Sequence, residues 1–254
     1  MSHWLKEKHS ICHAGMMAFL AAVLALSYYI LTGGYTLVPA SRIVADPGGP
    51  PGYGGKYVAI TFDDGPKPGT TDLLLEGLRQ RDVQATFFLI GRQIEGNELL
   101  IRQMYEDGHQ IGNHTFNHKN LEMLSADQQI QELSDCFEAV AQITGQKGCF
   151  VRPPYGEIDK RVQKDLHCPI ILWSVDTKDW TGKSADDIAR YIIDTAEAGD
   201  IILLHDIYRE SVEGALMAID VMKDKGYTFV TVSELFEKNG IEMEPGKIYR
   251  KTYH

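Results

Sequence analysis

The sequence has few cysteines and no excess of positive charge, and each shortage excludes a class of protein. Its 254 residues include four cysteines, none in a C-x-x-C pair, so neither a disulfide-rich scaffold nor a cysteine-based metal site is expected. The 25 Lys and Arg are outnumbered by 35 Asp and Glu, giving a formal net charge of -10. Because polyanion-binding proteins normally carry a basic face, nucleic acid is not an expected partner. No G-x-S-x-G motif is present either, so nothing indicates a serine nucleophile.

The remaining composition is that of an ordinary folded protein. Hydrophobic residues make up 44% of the chain, and there are 24 Gly and 10 Pro, which excludes disordered and collagen-like chains. A chain of this length can form a single α/β barrel.

One long hydrophobic run lies near the N-terminus. Residues 14–31 carry no formal charge, and a helix of this length, rising about 1.5 Å per residue, approaches the ~30 Å of a bilayer core. Lys6 and Lys8 precede the run, which favours a cytoplasmic N-terminus. We therefore expect a cytoplasmic segment over residues 1–13 and a transmembrane signal-anchor over residues 14–34, with the folded part of the chain extracellular.

Two alternatives remain for the hydrophobic run. It is also compatible with a signal peptide cleaved near Ala40, which would leave a secreted protein, and with a buried globular helix. The Gly- and Pro-rich residues 35–55 predict a linker. A folded domain is expected over residues 56–238, followed by a tail over residues 239–254 that looks poorly anchored.

The folded part alternates short apolar runs with helical patterns. The predicted strands are Tyr57–Phe62, Ala85–Ile90, Gln110–Asn113, Cys149–Arg152, Pro169–Val175, Asp200–Leu204 and Thr228–Val232. The predicted helices are Thr71–Arg79, Asn97–Tyr105, Ser125–Thr144, Ser184–Ala196 and Val212–Lys223. This alternation predicts an α/β fold with a parallel sheet. Seven strands favour a distorted (β/α) barrel, with an open doubly wound sheet as the alternative. Cys149 and Cys168 each open a predicted strand, so a disulfide between them is geometrically feasible.

Polar residues suited to catalysis or metal binding lie at the C-terminal ends of these strands. They are Asp63 and Asp64 in TFDDGP, His114 and His118 in HTFNH, Arg152 in RPPYG, Asp176 and Asp179 in DTKDW, and His205 and Asp206 in LLHD. In a parallel α/β barrel the carboxyl ends of the strands meet at the face where active sites occur. The sequence therefore predicts one site built from all five segments.

The histidine spacing indicates a metal site. His114 and His118 are four residues apart, which on a helical turn places both imidazoles on one side. A solvated or capping pair is the alternative. Two histidines and one Asp make a three-ligand site with an open position, as in catalytic zinc sites. An ion held there polarises a carbonyl and lowers the pKa of bound water.

The other polar residues suit acid–base chemistry around such an ion. One of the two adjacent Asp residues is free to act as general base, and Arg152 would keep it ionised and oriented. His205 offers a general acid, whose pKa a carboxylate such as Asp179 would raise. A base and an acid beside a polarised carbonyl describe hydrolysis. For Arg152 taken alone, a structural ion pair is the alternative.

Three further residues are expected around the substrate. Pro153 and Pro154 could aim the Tyr155 N–H at a developing oxyanion. Trp180 could stack on a sugar ring or simply pack on the rim. Leu203 could wall an acyl pocket or belong to the strand core.

These five motifs, in this order, closely resemble those of the polysaccharide deacetylases, the carbohydrate esterase family 4 or NodB-homology group. The resemblance covers residues 57–236 and implies a barrel of about seven strands. It implies that Asp63 is the base, that Asp64, His114 and His118 bind the metal, and that Arg152 orients the base. It also makes His205 the acid tuned by Asp179, and it places the Tyr155 N–H, Trp180 and Leu203 at the substrate.

The resemblance further implies an enzyme that hydrolyses acetyl groups on a polysaccharide with one divalent metal. Zinc is the expected ion, with cobalt or nickel as substitutes. An anchored or exported deacetylase is similar to those that act on peptidoglycan N-acetylglucosamine. Chitin oligosaccharides, acetylxylan, a small amide on the same scaffold, and non-catalytic sugar binding remain alternatives.

Overall fold

The computed structural model describes residues 55–146 and 150–252. The predicted cytoplasmic segment 1–13, the signal-anchor 14–34 and all of the linker but Gly55 lie outside the described residues. Within the described ranges, no helix combines the length and the hydrophobicity needed to cross a bilayer.

The sheet is built around strand β1 (Lys56–Asp63), whose last six residues are buried. β1 pairs in parallel with β2 (Thr86–Leu89) and with β6 (Ile201–His205). The sheet order is β3-β2-β1-β6-β5, where β3 is Gln110–Asn113 and β5 is Val175–Asp176, and β7 (Tyr227–Phe229) pairs with the start of β1. Strands covered on both faces become continuous apolar runs, as in residues 58–60 and 201–204.

A second parallel pair joins β4 (Ile170–Ile171) to β8 (Ile248–Tyr249). Val151 links it to the main sheet through isolated parallel bridges to Asn113 and Ile170, and Asp200 makes an antiparallel bridge to Lys251. The α/β fold with a mostly parallel sheet is therefore confirmed. The distorted barrel of about seven strands stays a prediction.

Helices cover the sheet and share the apolar core with its strands. They are α1 (Thr71–Gln80), α2 (Glu98–Glu106), α3 (Ala126–Thr144), α4 (Lys160–Asp165), α5 (Ala185–Thr195), α6 (Arg209–Asp224) and α7 (Val232–Lys238). Side chains of α1 and α6, such as Leu74 and Ile219, pack with strand residues such as Phe62. The capping box of Ser125 and Gln128 starts α3, and Gly145 ends it in the left-handed conformation.

The structure differs from the predicted elements in the second half of the domain. Of the predicted strand Cys149–Arg152, the described residues 150–152 form only the isolated bridges of Val151, and the predicted strand Pro169–Val175 is divided into β4 and β5. The division occurs where the Leu172 carbonyl accepts a hydrogen bond from the side chain of Arg152. The predicted strand Thr228–Val232 ends early because Thr231 and Glu234 form a capping box that begins α7.

The prediction of a poorly anchored tail is wrong. Tyr249 pairs with Ile171 in the β4–β8 ladder, and its ring lies 5.1 Å from that of Phe236. The two-residue strand β8 was missed because it is too short to show a hydrophobic period.

The structure describes two of the four cysteines, Cys136 and Cys168. Cys136 is free and buried. Cys168 is disulfide-bonded, and its partner lies outside the described residues, so the pairing with Cys149 stays a prediction.

Candidate active site

A buried ion pair lies at the centre of the site. Arg152 is fully buried, and its Nη1 donates to Asp63 Oδ1 at 2.7 Å and to Thr61 Oγ1 at 2.8 Å. Its Nε and Nη2 donate to the carbonyls of Ile171 and Leu172 at 3.1 and 3.2 Å. A buried charge pair is tolerable only when its remaining hydrogen-bonding groups are satisfied. These bonds fix the guanidinium, which in turn fixes the Asp63 carboxylate.

Asp64 has a different environment from its neighbour. Its backbone adopts the left-handed conformation with φ 74°, so its side chain leaves the strand instead of continuing it. Its Oδ1 is buried and has no hydrogen-bond partner among the described residues. This oxygen lies 3.5 Å from His114 Nε2 and 3.3 Å from His118 Nε2.

The two histidines present their Nε2 atoms to that oxygen. His114 Nδ1 lies 2.6 Å from the Arg152 carbonyl oxygen. Because a carbonyl only accepts, Nδ1 carries the hydrogen, so Nε2 is the nitrogen that the neutral ring offers to a metal. Burial and the neighbouring His114 lower the pKa of His118 below 6.5, although Asp64 and Asp63 oppose the shift. His118 is therefore neutral at neutral pH, as a metal ligand must be.

The prediction that the histidines share a helical turn is wrong. Residues 114–118 form a loop in which Thr115 and His118 have φ of 67° and 57°. The Thr115 N–H donates to Asn113 Oδ1 at 2.8 Å, and the His118 N–H donates to Thr115 Oγ1 at 3.0 Å. The loop brings the two rings to a centroid distance of 5.0 Å, so the pair forms without helical geometry.

Asp64, His114 and His118 fit a divalent ion. One ligand atom from each lies within 4.8 Å of the other two. Nitrogen and oxygen ligands at about 2.0–2.2 Å from a tetrahedral ion lie about 3.3–3.6 Å apart. The two measured Asp64–His separations, 3.5 and 3.3 Å, fall in that range. An ion would also give the buried Asp64 Oδ1 the partner that it lacks.

His205 lies beside Asp63, because β1 and β6 place the two residues opposite each other in register. Asp179 accepts from the His205 backbone N–H at 2.7 Å and lies 2.9 Å from its Nδ1. Burial lowers the pKa of His205, but the hydrogen bond and charge of Asp179, with the charges of Asp63 and Asp64, raise it to about 9. His205 is therefore protonated near neutrality, with Nε2–H as a proton donor.

Each of the three expected substrate residues neighbours a residue of this centre, in space or along the chain. Tyr155, left-handed with φ 62°, is 64% exposed, and its ring centroid lies 5.4 Å from that of His118. Trp180 follows Asp179 and is 57% exposed. Leu203 is buried and pairs with Thr61, so it faces the same side of the sheet as Asp63. Their positions fit the expected functions, which stay predictions.

Two residues near the site, Thr61 and Tyr208, were missed by sequence analysis, and Asp206 was named there without a function. Thr61 was detectable, since it lies two residues before Asp63 on the same strand face. Tyr208 has its ring centroid 6.3 Å from that of His205. The fully buried Asp206 accepts from Thr71 Oγ1 at 2.5 Å, and burial raises its pKa to about 7. Its contact with Thr71 spans 135 residues and has no local signal.

Comparisons with known proteins agree with this arrangement. The family described as polysaccharide deacetylase matches residues 52–168. A peptidoglycan-N-acetylglucosamine deacetylase of Listeria monocytogenes is 36% identical over 194 residues, covering 76% of this chain and 41% of its own. A peptidoglycan-N-acetylglucosamine deacetylase of Bacillus cereus is 37% identical over 188 residues, covering 71% of this chain and 88% of its own.

A solved structure extends the comparison to the fold. The family 4 acetyl xylan esterase of Clostridium thermocellum, in complex with a cobalt ion, superposes with a TM-score of 0.73 at 31% identity. The alignment covers 77% of this chain and 98% of that one. The chain spans about two-fifths of the Listeria relative but most of the Bacillus cereus enzyme. The described chain therefore belongs to the polysaccharide deacetylase family, whose members use a divalent metal.

Proposed function

We propose that the protein hydrolyses the N-acetyl groups of peptidoglycan N-acetylglucosamine and releases acetate, with zinc as its metal. The observation that carries the proposal is the unpartnered Asp64 Oδ1 facing two histidine Nε2 atoms, next to the Asp63–Arg152 pair, with His205 opposite Asp63 on the neighbouring strand. The names of the two relatives support peptidoglycan N-acetylglucosamine as the substrate.

Each residue has a defined part in the reaction. Asp64, His114 and His118 would hold the ion, which when bound polarises the acetyl carbonyl and acidifies water. Asp63 accepts the proton of the attacking water through Oδ2, since Arg152 occupies Oδ1.

The remaining residues act on the carbonyl oxygen and the leaving group. The Tyr155 N–H donates to the developing oxyanion. His205 then donates its Nε2 proton to the departing sugar nitrogen, so the C–N bond breaks to give a free amine and acetate.

The surroundings of the centre fit a sugar polymer. Tyr155, next to His118, and Trp180, which directly follows the His205 partner Asp179, are large exposed aromatic residues, and aromatic faces pack well against sugar rings. Leu203 would form the apolar wall of a pocket for the acetyl methyl group. An acetylxylan substrate is the second candidate, because the solved structure described above is an acetyl xylan esterase.

The test is acetate release from peptidoglycan, N-acetylglucosamine oligomers and acetylxylan by the full chain, before and after chelation and after adding zinc. Asp63→Asn should lower turnover by about 10²–10⁴-fold, the usual worth of a general base, while retaining zinc. Asp176→Asn is the matched control, since Asp176 also ends a strand but has no function in the mechanism. Full turnover by metal-free protein would contradict the mechanism, and preferential release from xylan would identify the second substrate.

The location is also a proposal. The uncharged residues 14–31 support a membrane anchor with the catalytic domain outside the cell. Sequencing the N-terminus of the mature protein from the membrane fraction tests it. An intact N-terminus supports the anchor, and a start after Ala40 with protein in the medium contradicts it.

A further inference from the structure

We propose that Glu132 of α3 is a positioning residue that holds the loop carrying His114 and His118 in its metal-binding conformation. We call residues 114–118 the ligand loop. The inference rests on the proposed function, because it concerns the same metal site, but it assigns a residue outside the five motifs.

Glu132 binds the ligand loop with both carboxylate oxygens. It is 6% exposed, and it accepts from the Asn117 backbone N–H at 2.7 Å through Oε2 and from Asn117 Nδ2 at 2.9 Å through Oε1. Lys119 Nζ lies 3.3 Å from Oε1. Burial raises the pKa of Glu132, but the bonds from Asn117 and the charge of Lys119 lower it below its usual value. The carboxylate is therefore ionised, and hydrogen bonds to an ionised acceptor are stronger than neutral ones.

The ligand loop needs such support because its backbone is unfavourable. Thr115 and His118 both have positive φ, which costs about 1–2 kcal/mol per non-glycine residue. On one side of the loop, the N–H groups of Gly91 and Arg92 donate to the carbonyls of Thr115 and Phe116 at 3.0 and 2.9 Å. Glu132, on α3, accepts two hydrogen bonds from Asn117, the next residue of the loop.

The contact is placed to act on one ligand more than on the other. His114 is held directly, through Nδ1 and the Arg152 carbonyl. His118 has a backbone bond to Thr115 Oγ1, and it directly follows Asn117. Loss of Glu132 would remove the acceptors of both Asn117 hydrogen bonds, and it would free the end of the loop that carries His118.

The experiment measures zinc affinity of the full chain by competition with a chelator, without substrate. Glu132→Ala should weaken binding about 10–100-fold, the usual effect of removing a residue that orients a ligand. Glu132→Gln keeps one oxygen acceptor and should lie between wild type and the Ala variant. Glu138→Ala, an exposed glutamate on the same helix, should bind as wild type does.

A second readout separates positioning from general stability. Turnover of Glu132→Ala should recover when zinc is in excess, because the loop is then held by the ion. Thermal unfolding of the metal-free proteins shows whether each variant is folded. If Glu132→Ala and Glu132→Gln lose stability but bind zinc as tightly as wild type, Glu132 is merely structural and the inference is overturned. If wild type binds no zinc, the proposed metal site itself is overturned, which is a distinguishable result.

Discussion

At the scale of single residues, the adjacent carboxylates Asp63 and Asp64 are chemically identical but differ in environment. Asp63 ends a strand and is bound by Arg152 through Oδ1. Asp64 turns into the left-handed conformation and leaves Oδ1 without a partner. The sequence indicates that two carboxylates are present, but the residues alone do not say which one binds the metal. Backbone conformation and a partner 89 residues away assign them.

The pairing of His205 with Asp179 predicts the alkaline limit of activity. The pKa of His205 is raised from 6.5 to about 9, so the acid form is lost, and kcat/KM should fall, as pH rises through about 9. Asp179→Asn removes the charge that raises this pKa, while burial still lowers it. The alkaline limb of the kcat/KM profile should therefore move by at least about one pH unit to lower pH.

The same pair predicts a direction for stability. Because the folded-state pKa of His205 lies above its ordinary value, the stabilisation is complete below about pH 6.5 and is lost as pH rises through about 9. Denaturant midpoints of wild type and Asp179→Asn should thus differ more at acidic than at alkaline pH. An alkaline limb unchanged by the substitution would assign the acid function to another group.

At the scale of secondary-structure elements, the length of each helix or strand decided whether the sequence predicted it. The strands β1 and β3 and the helices α1 and α3 match the predicted ranges within about two residues, the usual uncertainty of helix ends. Each combines a clear period with capping or turn residues, such as Ser125 and Gly145. β4, β5 and β8 have only two residues each. Partners far along the chain define them, so a local pattern could not.

The pairing of β8 with β4 predicts that the C-terminal tail supports the Asp63–Arg152 ion pair. Ile170 N–H and Leu172 N–H donate to the carbonyls of Lys247 and Tyr249, and the Leu172 carbonyl in turn accepts from Arg152. A chain ending at Pro245 should lose at least about 2 kcal/mol in the free energy of unfolding, because two buried donors lose their acceptors. Turnover of the folded fraction should also fall, since the orientation of Arg152 depends on this segment.

Chemical denaturation and turnover of the shortened chain check this prediction. Ile248→Ala is the control, since it keeps the β8 backbone and trims a side chain that is 41% exposed. A shortened chain with wild-type stability and turnover would show that β8 does not support Arg152.

At the scale of the whole molecule, the site is assembled from the carboxyl ends of separate parallel strands. β1 contributes Asp63, β3 leads to His114, and β6 contributes His205. The metal-binding and catalytic groups therefore meet only when the sheet is complete. Metal binding should accordingly be linked to folding of the domain.

This linkage predicts metal-dependent stability. An ion that binds the folded state alone, at about 1,000 times its Kd, stabilises by about 4 kcal/mol, which raises the Tm by about 2–4 °C per kcal/mol in a domain of this size. Zinc should therefore raise the Tm of wild type, and a chelator should reverse the increase. Asp64→Asn should abolish the shift, whereas Asp176→Asn should keep it. An equal shift in Asp64→Asn would place the ion elsewhere.

The sequence by itself determined the fold class, the five motifs and the family, because these depend on local periodicity and on residue types at fixed spacing. Only the tertiary structure decided that Arg152 is oriented by the Ile171 and Leu172 carbonyls, that Glu132 binds the ligand loop, and that the tail returns to the sheet as β8. Each of these is a contact between residues distant along the chain. Such partners are determined by three-dimensional packing, so a local sequence pattern does not indicate them.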